Sequence, residues 1–144
     1  MSSACKIVTV ERRLTAVIKA ETSFAQLPEV QRSARGKLRA VLPLLDCGPL
    51  GATCTRWTPP AHGKLPMEIG VIVARSFAAK DEVVPSDLPA GRAVHLLMKG
   101  PFDSLPGAWQ TLFDWCRAEA LATAGINWEI YGTEQDAELY ALLA

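Results

Sequence analysis

The chain has 144 residues, enough for one domain with a sizeable core, and its 49% hydrophobic and 21% charged composition is that of a folded protein, not a disordered one. Fifteen basic and fifteen acidic side chains cancel, which argues against a nucleic-acid-binding surface. No apolar run reaches membrane-spanning length and the N-terminus lacks a signal-peptide core, so a cytoplasmic protein without membrane contact is expected.

Ile7 to Val10 alternate weakly and fit a short edge strand. Leu14 to Ala20, rich in β-branched residues, reads as a strand. Leu27-Pro28-Glu29 has the proline and acid of a first helical turn. Val30, Ala34, Leu38, Val41, Leu42 and Leu45 then recur at helical spacing, and Pro43 must kink or end the helix. Arg32, Arg35, Lys37 and Arg39 are expected to form its solvated face. Ala52 to Trp57 reads as a strand, and the breakers from Thr58 to Gly63 as a loop that exposes His62. Met67 to Phe77 is the longest strand candidate, with Met67, Ile69, Val71 and Val73 on one face. Gly70 inside it marks a bulge or a close backbone approach. Ala78 to Leu88 is polar and loop-like.

After the Pro89-Ala90-Gly91 turn, Arg92 to Lys99 is an apolar-rich strand closed by Gly100-Pro101. Asp103 and Ser104 start a helix, expected over Ser104–Ala122, on which Leu105, Trp109, Leu112, Cys116 and Ala120 share a face. Its aromatic residues Trp109, Phe113 and Trp115 read as a core stripe. Ile126, Trp128 and Ile130 alternate with Asn127, Glu129 and Tyr131, so Glu129 and Tyr131 share one face of a strand. A last strand is expected over Ala137–Leu142. Each half thus runs strand, helix, strand, strand, a repeat of pattern with little identity.

The four cysteines form no Cys-x-x-Cys pair and read as small buried hydrophobes. His62 and His95 lie in no ligand cluster, so neither a metal nor another cofactor is expected.

Five pieces in order, Glu68-Ile69-Gly70-Val71, Pro89-Ala90-Gly91, Lys99-Gly100-Pro101-Phe102 with Leu105, Trp109, and Trp128-Glu129-Ile130-Tyr131, resemble the GyrI-like small-molecule-binding family, which also serves as effector-binding domain of AraC-type and MerR-type multidrug regulators. The resemblance implies an α+β fold. Duplicated β-α-β-β units would form one strongly curved antiparallel sheet with two long helices on its outer side. Residues 1–144 would be a single stand-alone domain, too short ahead of its first clear strand for a helix-turn-helix, so no direct DNA contact is expected.

The Ile126, Trp128 and Ile130 face is the one apolar enough to meet the helices, which would turn Glu129 and Tyr131 to the concave face. With Val94, Leu96 and Met98 on a helix, His95 and Leu97 would face the concavity too. Trp57 shares a face with Thr53 and Thr55, and the direction of that face stays open. The family resemblance adds Phe102 to the pocket and an acidic residue at Glu129 facing the ligand. Aromatic faces around a carboxylate attract hydrophobic or cationic small molecules. The alternative is a hydrolase of cyclopropane-bearing alkylating natural products, an activity of some proteins that resemble this family. There Glu129 would activate water and Tyr131 would polarise the electrophile. A gyrase-inhibitor-type protein modulator is the third reading.

Overall fold

A computed structural model of the protein describes residues 5–60 and 62–144. Eight strands and two helices follow in the order β1 (Lys6–Val10), β2 (Arg13–Thr22), α1 (Leu27–Val41), β3 (Leu50–Trp57), β4 (Leu65–Val73), β5 (Val83–Leu88), β6 (Gly91–Met98), α2 (Leu105–Ala118), β7 (Thr123–Tyr131) and β8 (Ala137–Leu143). All strand pairs are antiparallel in a single sheet of order β1-β6-β8-β7-β3-β4-β2-β5. Read outward from the centre, β3-β4-β2-β5 mirrors β7-β8-β6-β1. The expected duplication is therefore the organising feature, and the β3–β7 pair is the seam between repeats.

Each helix docks by an apolar stripe. Ala34, Leu38 and Val41 of α1 bury against Ala16 and Ile18 of β2 and Met67, Ile69, Val71 and Val73 of β4. Leu112 and Cys116 of α2 bury against Val94, Leu96 and Met98 of β6 and Ala137, Leu139 and Ala141 of β8. A fully buried leucine contributes roughly 1.5–3 kcal/mol, so these stripes carry most of the docking energy. Both helices lie on one face. At the seam Thr55 pairs with Glu129, so the two side chains point the same way, and α1 bonds the first while α2 bonds the second.

The other face curls inward. In a flat sheet β3 and β5 stand three strand spacings apart, about 14 Å. Yet Arg56 on β3 donates to both the backbone carbonyl and the carboxylate of Asp87 on β5, each at 2.8 Å. Leu88 from one edge strand shares a buried cluster with Cys54, Ala93, Trp128 and Ile130, and Val10 from the other edge strand packs against it. The helices therefore sit on the outer side, as the family resemblance implied.

Several boundaries move. α1 gives way at Leu42 to a 3-10 turn, Leu42–Leu44, because Pro43 cannot donate into the helix. β4 stops at Val73, where the Ala74 and Arg75 amides leave the ladder for the Cys47 carbonyl. The stretch read as a loop contains β5. Its Pro85 is tolerated because β5 is an end strand, and Val83 and Leu88 are buried. His62 is exposed, as read, and of the four cysteines read as buried, Cys47, Cys54 and Cys116 are buried free thiols while Cys5 is only half-buried.

Two backbone positions generate expectations. Gly70 pairs with Val17 without a register shift, so the close-approach reading holds: a Cβ there would run into the Ala16 carbonyl and the Val17 side chain. Gly70→Ala is expected to lower stability by about 1–3 kcal/mol in urea unfolding; an unchanged midpoint would show that the strands can separate there without cost. α2 ends four residues short of expectation, and without a glycine. The Leu121 amide donates to the Cys116 carbonyl at 2.9 Å and the Ala120 amide to that of Arg117 at 3.1 Å, with Ala120 at φ 55°. Gly125 (φ 84°) sits instead at a register irregularity in β7. Relief of the left-handed alanine makes Ala120→Gly stabilising by about 0.5–1 kcal/mol on the same measurement.

Candidate functional site

The centre of the outer face holds an unusual set of polar groups. Glu129, on β7 at the seam, is 4% exposed, and its neighbour Thr55 is fully buried. A carboxylate in such a place must find donors. Trp109 of α2 donates its indole N–H to Glu129 Oε2 at 2.6 Å. Tyr131, two residues along the same strand face, donates its hydroxyl to Oε1 at 2.5 Å.

The network continues into the first repeat. Tyr131 Oη lies 2.8 Å from Thr55 Oγ1, which also accepts from Gln31 Nε2 and Arg35 Nη2, both at 3.2 Å. A tyrosine hydroxyl has one proton and here gives it to the carboxylate. Thr55 must then donate to Tyr131, with its own lone pairs filled by Gln31 and Arg35. Every donor in the chain therefore points towards Glu129. Gln31 and Arg35 share a face of α1 at i,i+4, and Arg35 Nη2 also reaches Gln31 Oε1 at 3.0 Å. The Arg35 guanidinium lies over the Tyr131 ring, 5.2 Å from its centroid. The Phe102 ring meets Tyr131 edge-on at 5.7 Å, and Phe113 stacks on Trp109 at 5.5 Å.

Burial pushes the Glu129 carboxyl above its ordinary 4.5, while the Tyr131 and Trp109 hydrogen bonds and the Arg35 charge pull it back in part. Burial and the adjacent carboxylate hold Tyr131 well above its ordinary 10, so it remains a proton donor.

A profile of the GyrI-like small molecule binding domain matches residues 3–141. The chain belongs to that family. Solved structures agree on the fold of this GyrI-like domain. The EcmrR C-terminal domain superposes with a TM-score of 0.77 at 16% identity, over 100% of this chain and 99% of that one. EcmrR in its DNA complex with RPo gives 0.81 at 17% identity over 99% of this chain, which spans only 58% of the EcmrR chain. SAV2435, solved bound to tetraphenylphosphonium, gives 0.69 at 14% identity, over 98% of this chain and 94% of that one. A search of curated proteins by sequence finds no match.

The GyrI-like chain splits the residues expected from sequence between two faces. Glu129, Tyr131, Phe102 and Trp57 lie on the helix side, where Trp57 packs against the α1 cluster. His95 and Leu97 lie on the inner face, as their alternation with Val94, Leu96 and Met98 requires. His95 Nε2 there contacts Glu138 Oε1 at 3.0 Å, and its ring tilts against Tyr140. The expectation that Glu129 faces the concavity is corrected. Ile126, Trp128 and Ile130 fill the inside of the curl, where Trp128 stacks on Tyr140 at 5.2 Å, and Glu129 faces the helices. A closed-up sheet needs apolar filling on its inner face as much as under its helices, so hydrophobicity alone did not identify the helix side. A cavity of about 600 Å³ lies within the curl, lined by Val8, Val10, Leu88, Trp128, Ile130 and Tyr140 among others.

Sequence reasoning missed Thr55, Gln31, Arg35 and the polar role of Trp109. The exposed-face reading holds for Arg32, Lys37 and Arg39 and fails for Arg35, which is half-buried. An indole N–H on a half-buried helix stripe was the available signal, because such a donor needs an acceptor.

The raised carboxyl has a signed consequence for stability. A group that holds its proton more tightly when folded contributes stability that is complete below its unfolded value. That contribution is lost as pH rises through the folded one. The stability difference between parent and Glu129→Gln is therefore expected to fall as pH rises from below 4.5 through the raised folded value, then to level off. Urea unfolding of both proteins across that range checks it; a difference that grows in the parent's favour with pH would reverse the assignment.

Proposed function

We propose that this GyrI-like domain binds a small hydrophobic molecule on the outer face between α1 and α2, with Glu129 as the polar centre of the site and Tyr131, Trp109, Phe102 and Trp57 as its aromatic surroundings. The observation that carries this reading is a carboxylate only 4% exposed that takes donors from β7 and α2 and is linked to the first half of the chain through Tyr131 and Thr55. Buried polar groups of this kind cost stability unless satisfied, and a buried, perturbed carboxyl is a recurrent mark of a functional site. The flanking rings offer flat apolar surface at little entropic cost, which suits a rigid ligand. A carboxylate taken alone calls for a cation, and SAV2435 holds one, tetraphenylphosphonium.

The hydrolase reading has a neighbour behind it, since a hydrolase from Listeria innocua superposes with a TM-score of 0.64 at 9% identity, over 99% of this chain and 93% of that one. The geometry favours binding over turnover. Each Glu129 oxygen already accepts a hydrogen bond from a protein group, Trp109 on one and Tyr131 on the other. A general base needs an oxygen turned to the water it deprotonates, and here that water would share an oxygen with Trp109 or Tyr131.

Triphenylphosphine oxide, a neutral three-ring probe, should raise the melting temperature of the protein. Trp109→Ala should weaken its binding by at least about tenfold, because one loss removes both a ring face and the donor to Glu129. Tyr140→Phe, a change on the inner face, should leave it unaltered. Binding that survives Trp109→Ala but disappears in Tyr140→Phe would move the site into the curl.

A further inference from the structure

We infer that Arg35 sets the charge preference of this site: it is the site's own cation, so the domain takes aromatic molecules that carry a hydrogen-bond acceptor or an anionic group in preference to lipophilic cations. This rests on the reading that the ligand lies between α1 and α2.

Four basic residues punctuate α1, and only Arg35 turns inward. Arg32 is exposed and paired with Glu29, Lys37 is exposed and paired with Glu82, and Arg39 is exposed. Arg35 is held from two sides, by Gln31 on its own helix and by Thr55 on the seam strand. Its guanidinium occupies a face of the Tyr131 ring, 5.2 Å from the centroid. That face of an aromatic ring beside a carboxylate is where a ligand cation would gain most.

Two consequences follow for an incoming molecule. A lipophilic cation meets a positive charge already in place, and can take that face of the ring only by displacing Arg35 from Gln31 and Thr55. A guanidinium carries five N–H donors, and only those on Nη2 have acceptors among the described residues. A ligand acceptor can therefore take a charge-assisted hydrogen bond from Arg35 without breaking any existing one. The electrostatics agree: Arg35 already acts on Glu129 and on Tyr131 as a neighbouring positive charge.

Three probes of matched three-ring shape separate charge from size: methyltriphenylphosphonium, triphenylphosphine oxide and triphenylacetate. Calorimetric titration of the parent should give the oxide and the acetate at least about tenfold tighter than the phosphonium. Arg35→Met keeps the aliphatic stem and removes the charge. It should weaken the oxide and acetate by about tenfold and strengthen the phosphonium, so that the order reverses. Arg35→Lys keeps the charge and should keep the parent's order. Should Arg35→Met fail to fold, Arg35→Gln carries the same expectation of reversal.

A parent that binds the phosphonium as tightly as the other two, or a neutral variant at position 35 that leaves the order unchanged, overturns the role of Arg35. The two readings fail differently. Binding that depends on Trp109 but ignores residue 35 leaves the site standing and removes only the charge assignment. If none of the probes binds the parent, or if Trp109→Ala binds them all equally well, the site itself is refuted and Arg35 with it.

Discussion

A carboxylate at the centre of a seam cannot be left without donors, and much of the outer face is arranged around that need. Glu129 lies on one of the two strands that join the repeats. Its own strand supplies one donor, Tyr131, and α2 supplies the other, Trp109. The far repeat contributes at one remove, since Thr55 orients Tyr131 and is itself held by Gln31 and Arg35 of α1. Loss of any one member would strand its neighbours, which is the sense in which a satisfied buried network specifies a single arrangement.

Apolar burial and this network do different jobs. The stripes Ala34-Leu38-Val41 and Leu112-Cys116 attach the helices to the sheet, but a greasy stripe tolerates small slides and rotations. Hydrogen bonds do not. Gln31 and Arg35 fix the rotation of α1 over the seam, and Trp109 fixes that of α2. Each helix is thereby tied to the seam by groups that also make the outer face polar there.

Much of the fold was readable because its signals are local and periodic. The α1 stripe, the stop at Pro43, the alternation in β4 and β6 and the repeat of strand, helix, strand, strand all survive in the structure. What escaped depended on tertiary context. β5 reads as a loop because it lies in the polar stretch Ala78–Leu88 and Pro85 interrupts it, and only its place at the sheet edge makes that acceptable. α2 stops short of Gly125, which reads as its end in the sequence, because Ala120 takes the left-handed turn earlier. The pairing of Glu129 with Tyr131 was correct from strand alternation alone. The side they face was not, because period two separates the faces without naming them, and the sheet fills both with apolar residues. Arg35 was hidden for a related reason: one inward arginine in a run of basic residues looks the same in sequence as an outward one.

The seam has a mechanical meaning. α1 rides on one repeat and α2 on the other, and the repeats are joined in the sheet only through β3 and β7, whose paired stretch runs from Cys54 to Trp57 against Asn127 to Ile130. A sheet resists stretching along its hydrogen bonds far more than it resists a change of twist. Any object wedged between the two helices therefore acts across the narrowest joint in the molecule, and spreading or drawing in the helices must be taken up as a rotation of one repeat against the other. Such a rotation would also be felt inside the curl, because Leu88 of β5 and Val10 of β1 pack against the seam pair Cys54 and Ile130 from the other side of the sheet.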